Sequence, residues 1–354
     1  MAVSYPHQVS LILALSARGG RSRWSGRLLP IGTLCVVGVF GLASCANPDS
    51  SPQEASEAEP VTANLSVVAS IDVYADLASS VTGDTAEVTA IVDNPAIDPH
   101  SYEATPQDRM AVEQADVLIS NGGGYDPFLS SLAESAKKED TLLSVLNGED
   151  GHDHTHDHGD EGGQDHAEEE GQDDEAHDPD HDDENEHVWY DLAMMSEFVH
   201  ELAERLGQES PENAELYAEN AANLSEDIEA LDERNRSLDA AGVTYMATEA
   251  VSAYLLDDAG FDDETDPDFL SAVEHGDDVS VRLFQQALET AEQVDLLVHN
   301  EQTETNQSLQ IREAAEDADV PVLMFSETLP DEHDDYLSWM SDNIDRLEQL
   351  LSSD

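Results

Sequence analysis

Short apolar runs of strand length alternate with segments of helical period along most of this chain, and that rhythm limits the fold more than any other feature. Residues 65–71, 86–92 and 116–121 read as strands, and 74–81, 106–115 and 128–138 as helices. Parallel strands need a long crossover between them, so this order implies a parallel sheet with helices on its faces. A second set follows, with strands at 243–248, 294–298 and 320–325 and a closing helix at 336–351. Between the sets, Ser210-Pro211-Glu212 reads as a helix start with Ser as N-cap and Pro at the first helical position. Tyr217, Ala221, Leu224, Ile228 and Leu231 then recur at spacings of 4, 3, 4 and 3. That stripe predicts an amphipathic helix of about 28 residues, ending before Gly242. The expected architecture is α/β: two lobes with parallel-type sheets flanked by helices, bridged by one long rigid helix. Its boundaries fall at 65–190 for the first lobe, 191–241 for the helical region and 242–354 for the second lobe.

One stretch breaks the rhythm. Residues 149–186 hold His152, His154, His156, His158, His166, His177 and His181 among Asp, Glu and Gly. Nothing in it is apolar enough to pack, so a solvated loop is expected. A bland charge run would account for the carboxylates, because the whole chain has 80 Asp+Glu against 13 Lys+Arg. It would not account for seven histidines. Neutral imidazole is the commonest transition-metal ligand near neutral pH, so the stretch reads as a metal-capture loop. The global acidity excludes nucleic acid as a partner, since phosphate binding needs a basic face.

The first 44 residues contain no Asp or Glu. Arg18, Arg21, Arg23 and Arg27 precede an apolar run over 28–42, too short for a confident membrane span. The run ends in Leu42-Ala43-Ser44-Cys45, which resembles a bacterial lipobox. Residues 1–44 are therefore expected to be a lipoprotein signal peptide, and Cys45 the lipidated residue. Residues 45–64, rich in Pro, Ser, Glu and Ala, would be a flexible tether. The only other cysteine, Cys35, lies in the apolar run, so the folded part has no disulfide and no thiolate metal site.

Four candidate donors fall at equivalent places. His100 lies in the loop after the strand at 86–92, and His187 ends the acidic stretch. Glu249 and Glu327 each follow a strand of the second set. Open α/β sheets bind ligands outside the carboxyl ends of their strands, which would put this site between the lobes. Singly, such a His is usually a polar loop residue and such a Glu a helix cap; their joint placement favours a metal site, although a parallel sheet offers many such loop ends. Glu301, after the strand at 294–298, is a reserve ligand. His200-Glu201-Leu202-Ala203-Glu204 lacks the second His of a zinc-hydrolase motif.

Several local motifs point further. They are Asp98-Pro99-His100-Ser101-Tyr102-Glu103 with Pro106, Ala115-Asp116 with Asn121-Gly122, and His187-Val188-Trp189-Tyr190-Asp191. Pro211 with Tyr217 and Asn220, and Thr248-Glu249-Ala250 with Tyr254, complete the set. From about Leu65 to Leu351 the chain resembles the metal-binding proteins of zinc and manganese ABC importers, the cluster A-I solute-binding proteins. The resemblance implies two α/β lobes on a rigid helix, and His100 and His187 as first-lobe ligands. It aligns Glu249 with a third His of zinc members and a Glu of manganese members. It aligns Glu327 with a commonly Asp ligand, with Ser326 leaving that match open by one residue. It further implies a lipid-anchored, extracytoplasmic monomer that captures a divalent metal and delivers it to a permease driven by a separate ATPase subunit. Zn²⁺ is the expected metal, with Mn²⁺ or Fe²⁺ as alternatives. A surface metal buffer or adhesion protein is a second reading, and a metallohydrolase a third.

Overall fold

The computed structural model describes residues 65–146, 185–276 and 278–353. The expected signal peptide, Cys45 and the tether lie outside these residues, as do all seven loop histidines.

The first lobe runs β1 (Leu65–Ile71), α1 (Asp72–Thr82), β2 (Ala86–Val92), α2 (Pro106–Gln114), β3 (Val117–Gly122), α3 (Pro127–Ala136) and β4 (Leu142–Leu146). Its four strands are all parallel, in the order β2-β1-β3-β4. Val67, Val68, Ala69 and Ile71 of β1 are buried, as in a central strand covered on both faces. β4 is absent from the strands expected above; its run is short and follows a charged turn.

Two helices follow, α4 (Leu192–Glu209) and α5 (Ala214–Arg236). α5 starts later than expected. The Ser210 N–H still bonds to Leu206 O, so Ser210 closes α4 instead of capping α5, and Pro211, with no N–H to donate, stops α4 there. Tyr217, Ala221, Leu224 and Ile228 bury the predicted stripe. At 23 residues α5 is about 34 Å long. Near its start, Tyr217 and Asn220 bond Thr85 and Val81 O of the first lobe. At its end, Asn235 Nδ2 donates to Leu255 O and Arg234 pairs with Asp345 and Glu348 of the final helix. One helix therefore spans both halves.

The second lobe comprises β5 (Thr244–Ala247), α6 (Ala253–Ala259), β6 (Asp262–Asp263), α7 (Pro267–Glu274), α8 (Val281–Ala291), β7 (Leu296–Asn300), α9 (Asn306–Asp317), β8 (Val322–Phe325) and α10 (Tyr336–Leu351). Its sheet is again parallel, in the order β6-β5-β7-β8. In each sheet the order reverses around one strand pair, β1/β3 and β5/β7, which opens a crevice at the strand carboxyl ends. The lobes also meet directly. Asp72 and Asp76 accept the N–H groups of Leu329 and Tyr336, and the Tyr190 hydroxyl donates to Ser326 O.

Candidate metal centre

All four predicted donors come together. One ligand atom from each of His100, His187, Glu249 and Glu327 lies within 4.8 Å of the others. His187, Glu249 and Glu327 are buried, and His100 is partly exposed. The rule of strand ends holds for each carboxylate: Glu249 is two residues past β5, and Glu327 two past β8.

Each histidine is oriented through Nδ1. The His100 Nδ1 sits 2.9 Å from Oε1 of Glu186. The His187 Nδ1 lies 2.8 Å from Oδ1 of Asn185, whose Nδ2 donates to Ala250 O at 2.9 Å. That second bond identifies the Asn185 oxygen as the acceptor for His187, so His187 carries its proton on Nδ1. Both Nε2 atoms are buried without a hydrogen bond. Nε2 of His100 is 3.2 Å from Glu327 Oε2, close but out of line for a bond. Two ligands of one zinc tetrahedron stand about 3.3 Å apart, so this pair already has the spacing a shared cation needs. Imidazoles fixed at Nδ1 and bare at Nε2 could each present that nitrogen to a cation.

Burial pushes His187 down and keeps it neutral. Burial also opposes charge on His100, but the hydrogen bond of Glu186 and the negative charges of Glu327 and Glu186 prevail and hold it up at about 11. Glu249 is raised to about 8, first by burial and then by the charge of Glu327. Burial works against the Glu327 carboxylate too; His100, the His187 ring and the Asn300 amide outweigh it and keep Glu327 below its ordinary value. Without a cation, the cluster thus holds one ionised carboxylate, one protonated carboxyl and one imidazolium. A divalent ion would displace both protons.

The structure also shows what the sequence did not. Glu186 and Asn185 border the His-rich stretch, where nothing distinguishes them from their neighbours. Tyr125 donates to Glu327 Oε2 at 3.0 Å. Asn300 reaches both carboxylates. Glu301, the reserve ligand, lies one residue past the end of β7, is exposed and is absent from the cluster. His299 is buried nearby but bonds Glu304 at 3.1 Å. His200, Glu201 and Glu204 are exposed on α4, away from the cluster.

Fold and cluster together define a two-lobed α/β protein with a cation-sized set of donors between its lobes. The comparisons with known proteins agree. Residues 67–350 match the family described as ZnuA, zinc-uptake complex component A, periplasmic, and the chain belongs to that family. It is 27% identical over 205 residues to the metal ABC transporter substrate-binding lipoprotein ScbA of Streptococcus cristatus. It is 26% identical over 207 residues to the manganese-binding lipoprotein MntA of Halalkalibacterium halodurans. The ScbA match spans 56% of this chain and 57% of that protein, so little more than half of each is aligned. The fold is shared with the periplasmic zinc-binding protein TroA from Treponema pallidum, at a TM-score of 0.61 and 16% identity over 82% of this chain and 99% of TroA.

Proposed function

We propose that this chain is the extracytoplasmic receptor of an ABC importer, binding a divalent transition metal between its lobes and handing it to a membrane permease served by a separate ATPase. The observation that carries this reading is the convergence of His100, His187, Glu249 and Glu327 with two bare Nε2 atoms. The names of its relatives, a metal transporter lipoprotein and a manganese-binding lipoprotein, support it. The chain acts by capture and release and carries out no catalysis. Two donors come from each lobe, so even a small separation of the lobes would break the set.

Zinc is the favoured cargo. Two imidazole nitrogens and two carboxylate oxygens suit it, and zinc outranks manganese in intrinsic affinity. Manganese, named for MntA, is the alternative that the carboxylates leave open. The His-rich stretch would gather the ion, and a lipid on Cys45 would hold the monomeric protein at the membrane.

Competitive Zn²⁺ and Mn²⁺ titration tests this, using the protein and a version lacking residues 150–183. The deletion must stop short of Asn185 and Glu186, because both orient ligands. One tight zinc site that survives the deletion supports a zinc receptor. Tight manganese binding lost on Glu249→Ala moves the cargo to manganese. Zinc binding that vanishes with the deletion leaves a surface metal buffer and overturns the interlobe site.

A further inference from the structure

A single side chain grips both carboxylates. Asn300, the last residue of β7, is buried, and its Nδ2 lies 2.6 Å from Oε2 of Glu249 and 2.7 Å from Oε1 of Glu327. The amide cannot be turned over, because its Oδ1 accepts the Gln302 N–H at 3.0 Å. Its backbone is held as well, by donation to the Thr248 hydroxyl at 3.3 Å. The Thr303 hydroxyl donates to the same Oε2 of Glu249.

An amide NH₂ has two protons, and here each is aimed at a different carboxylate. A carboxylate oxygen committed to such a bond in a dry site is hard to recruit to a cation, since the donor would be left unsatisfied. Each glutamate then offers its other oxygen: Oε1 for Glu249 and Oε2 for Glu327. The Glu327 Oε2 also accepts from Tyr125 and still has a lone pair free. With two imidazole nitrogens the donor count is four, the number zinc takes in a closed site. Manganese favours octahedral oxygen-rich surroundings, which a carboxylate chelating through both oxygens would help to supply.

We infer that Asn300 is a specificity-determining positioning residue, holding both glutamates to one donor oxygen each and so capping the site at four ligands in favour of zinc. The inference rests on the metal-receptor reading above. It accounts for how a site with two carboxylates can select against a harder, larger cation.

Cobalt reports this directly, because four-coordinate Co²⁺ absorbs visible light far more strongly than five- or six-coordinate Co²⁺. The full chain with one equivalent of Co²⁺ is expected to show intense bands that disappear in His187→Ala. Asn300→Ala should weaken them severalfold and cut the zinc-over-manganese preference about tenfold or more. Thr303→Val, which removes one of the two donors on Glu249 Oε2 and leaves the strand untouched, should move both readouts the same way by less. Thermal unfolding of the metal-free variants identifies any that fail to fold, in which case Thr303→Val decides. Full band intensity and unchanged preference in folded variants would overturn the inference and leave the receptor reading standing. Bands that are weak in the wild type and indifferent to His187→Ala would overturn both.

Discussion

The two lobes bring opposite kinds of constraint to the same point. In the first, each imidazole is tethered at Nδ1, to Glu186 or Asn185, and Nε2 is left bare. In the second, each carboxylate is crowded with donors: Asn300 and Thr303 on Glu249, Asn300 and Tyr125 on Glu327. An imidazole needs only its tautomer and ring plane fixed to be a good ligand. A carboxylate has two equivalent oxygens, so it must also be told how many to give. On the reading proposed above, the histidine side would govern whether a metal is held, and the carboxylate side which metal.

Removing a bare nitrogen is the strongest way to break that contrast. His187→Ala is expected to lower zinc and manganese affinity alike, by more than about a hundredfold, because no other described donor stands in its place. Competition titration with a chromophoric chelator would measure it. A loss confined to one metal would show that the histidine side also selects. Loosening a tether is the milder version. Glu186→Gln and Asn185→Ala should each cost about tenfold for both metals. Asn185→Ala should cost the more, because the Asn185 side chain also accepts the His187 N–H and donates to Ala250 O, tying His187 to the second lobe.

Much of this is legible in the sequence. The parallel sheets follow from apolar runs spaced by helices, Glu249 and Glu327 follow from the rule of strand ends, and the family resemblance implies His100 and His187. What was hidden has a physical reason in each case. Asn185 and Glu186 act through tautomer control, a property of three-dimensional aim that leaves no mark in an acidic, polar stretch. Glu301 is the expected reserve and Asn300 the residue that reaches both carboxylates; β7 ends at Asn300, and a sequence pattern does not resolve a strand end to one residue. β6 has only two residues, both Asp, so no apolar run announces it. The start of α5 moved because a serine before a proline can close one helix as readily as open the next.

Proton release sharpens the comparison further. His100, held up at about 11, and Glu249, raised to about 8, are one group from each side, and both carry a proton at pH 7 without metal. Binding a divalent ion at that pH should free about two protons. Calorimetry in buffers of different ionisation enthalpy reads the number. Release close to one in Glu249→Gln would assign the second proton to the carboxylate side.

The smallest effect is on the metal-free protein. Glu249 has a folded-state pKa of about 8 against an ordinary 4.5, chiefly from burial and then from the charge of Glu327. A carboxyl raised on folding binds its proton better in the native state. Its stabilising contribution is therefore complete below about pH 4.5 and is lost as pH rises through about 8. Between pH 5.5 and 8.5 the metal-free wild type should lose stability, on the order of 3 kcal/mol from this group. Other acidic groups act in the same direction, Asp72 among them, raised to about 6 by its burial. Glu249→Gln isolates the one contribution, because an amide cannot ionise. Its melting temperature should fall less steeply over that range and exceed that of the wild type at the alkaline end, while its affinity for metal collapses. Parallel slopes for the two proteins would mean that Glu249 is ionised throughout, and that the carboxylate side tolerates two negative charges without a cation between them.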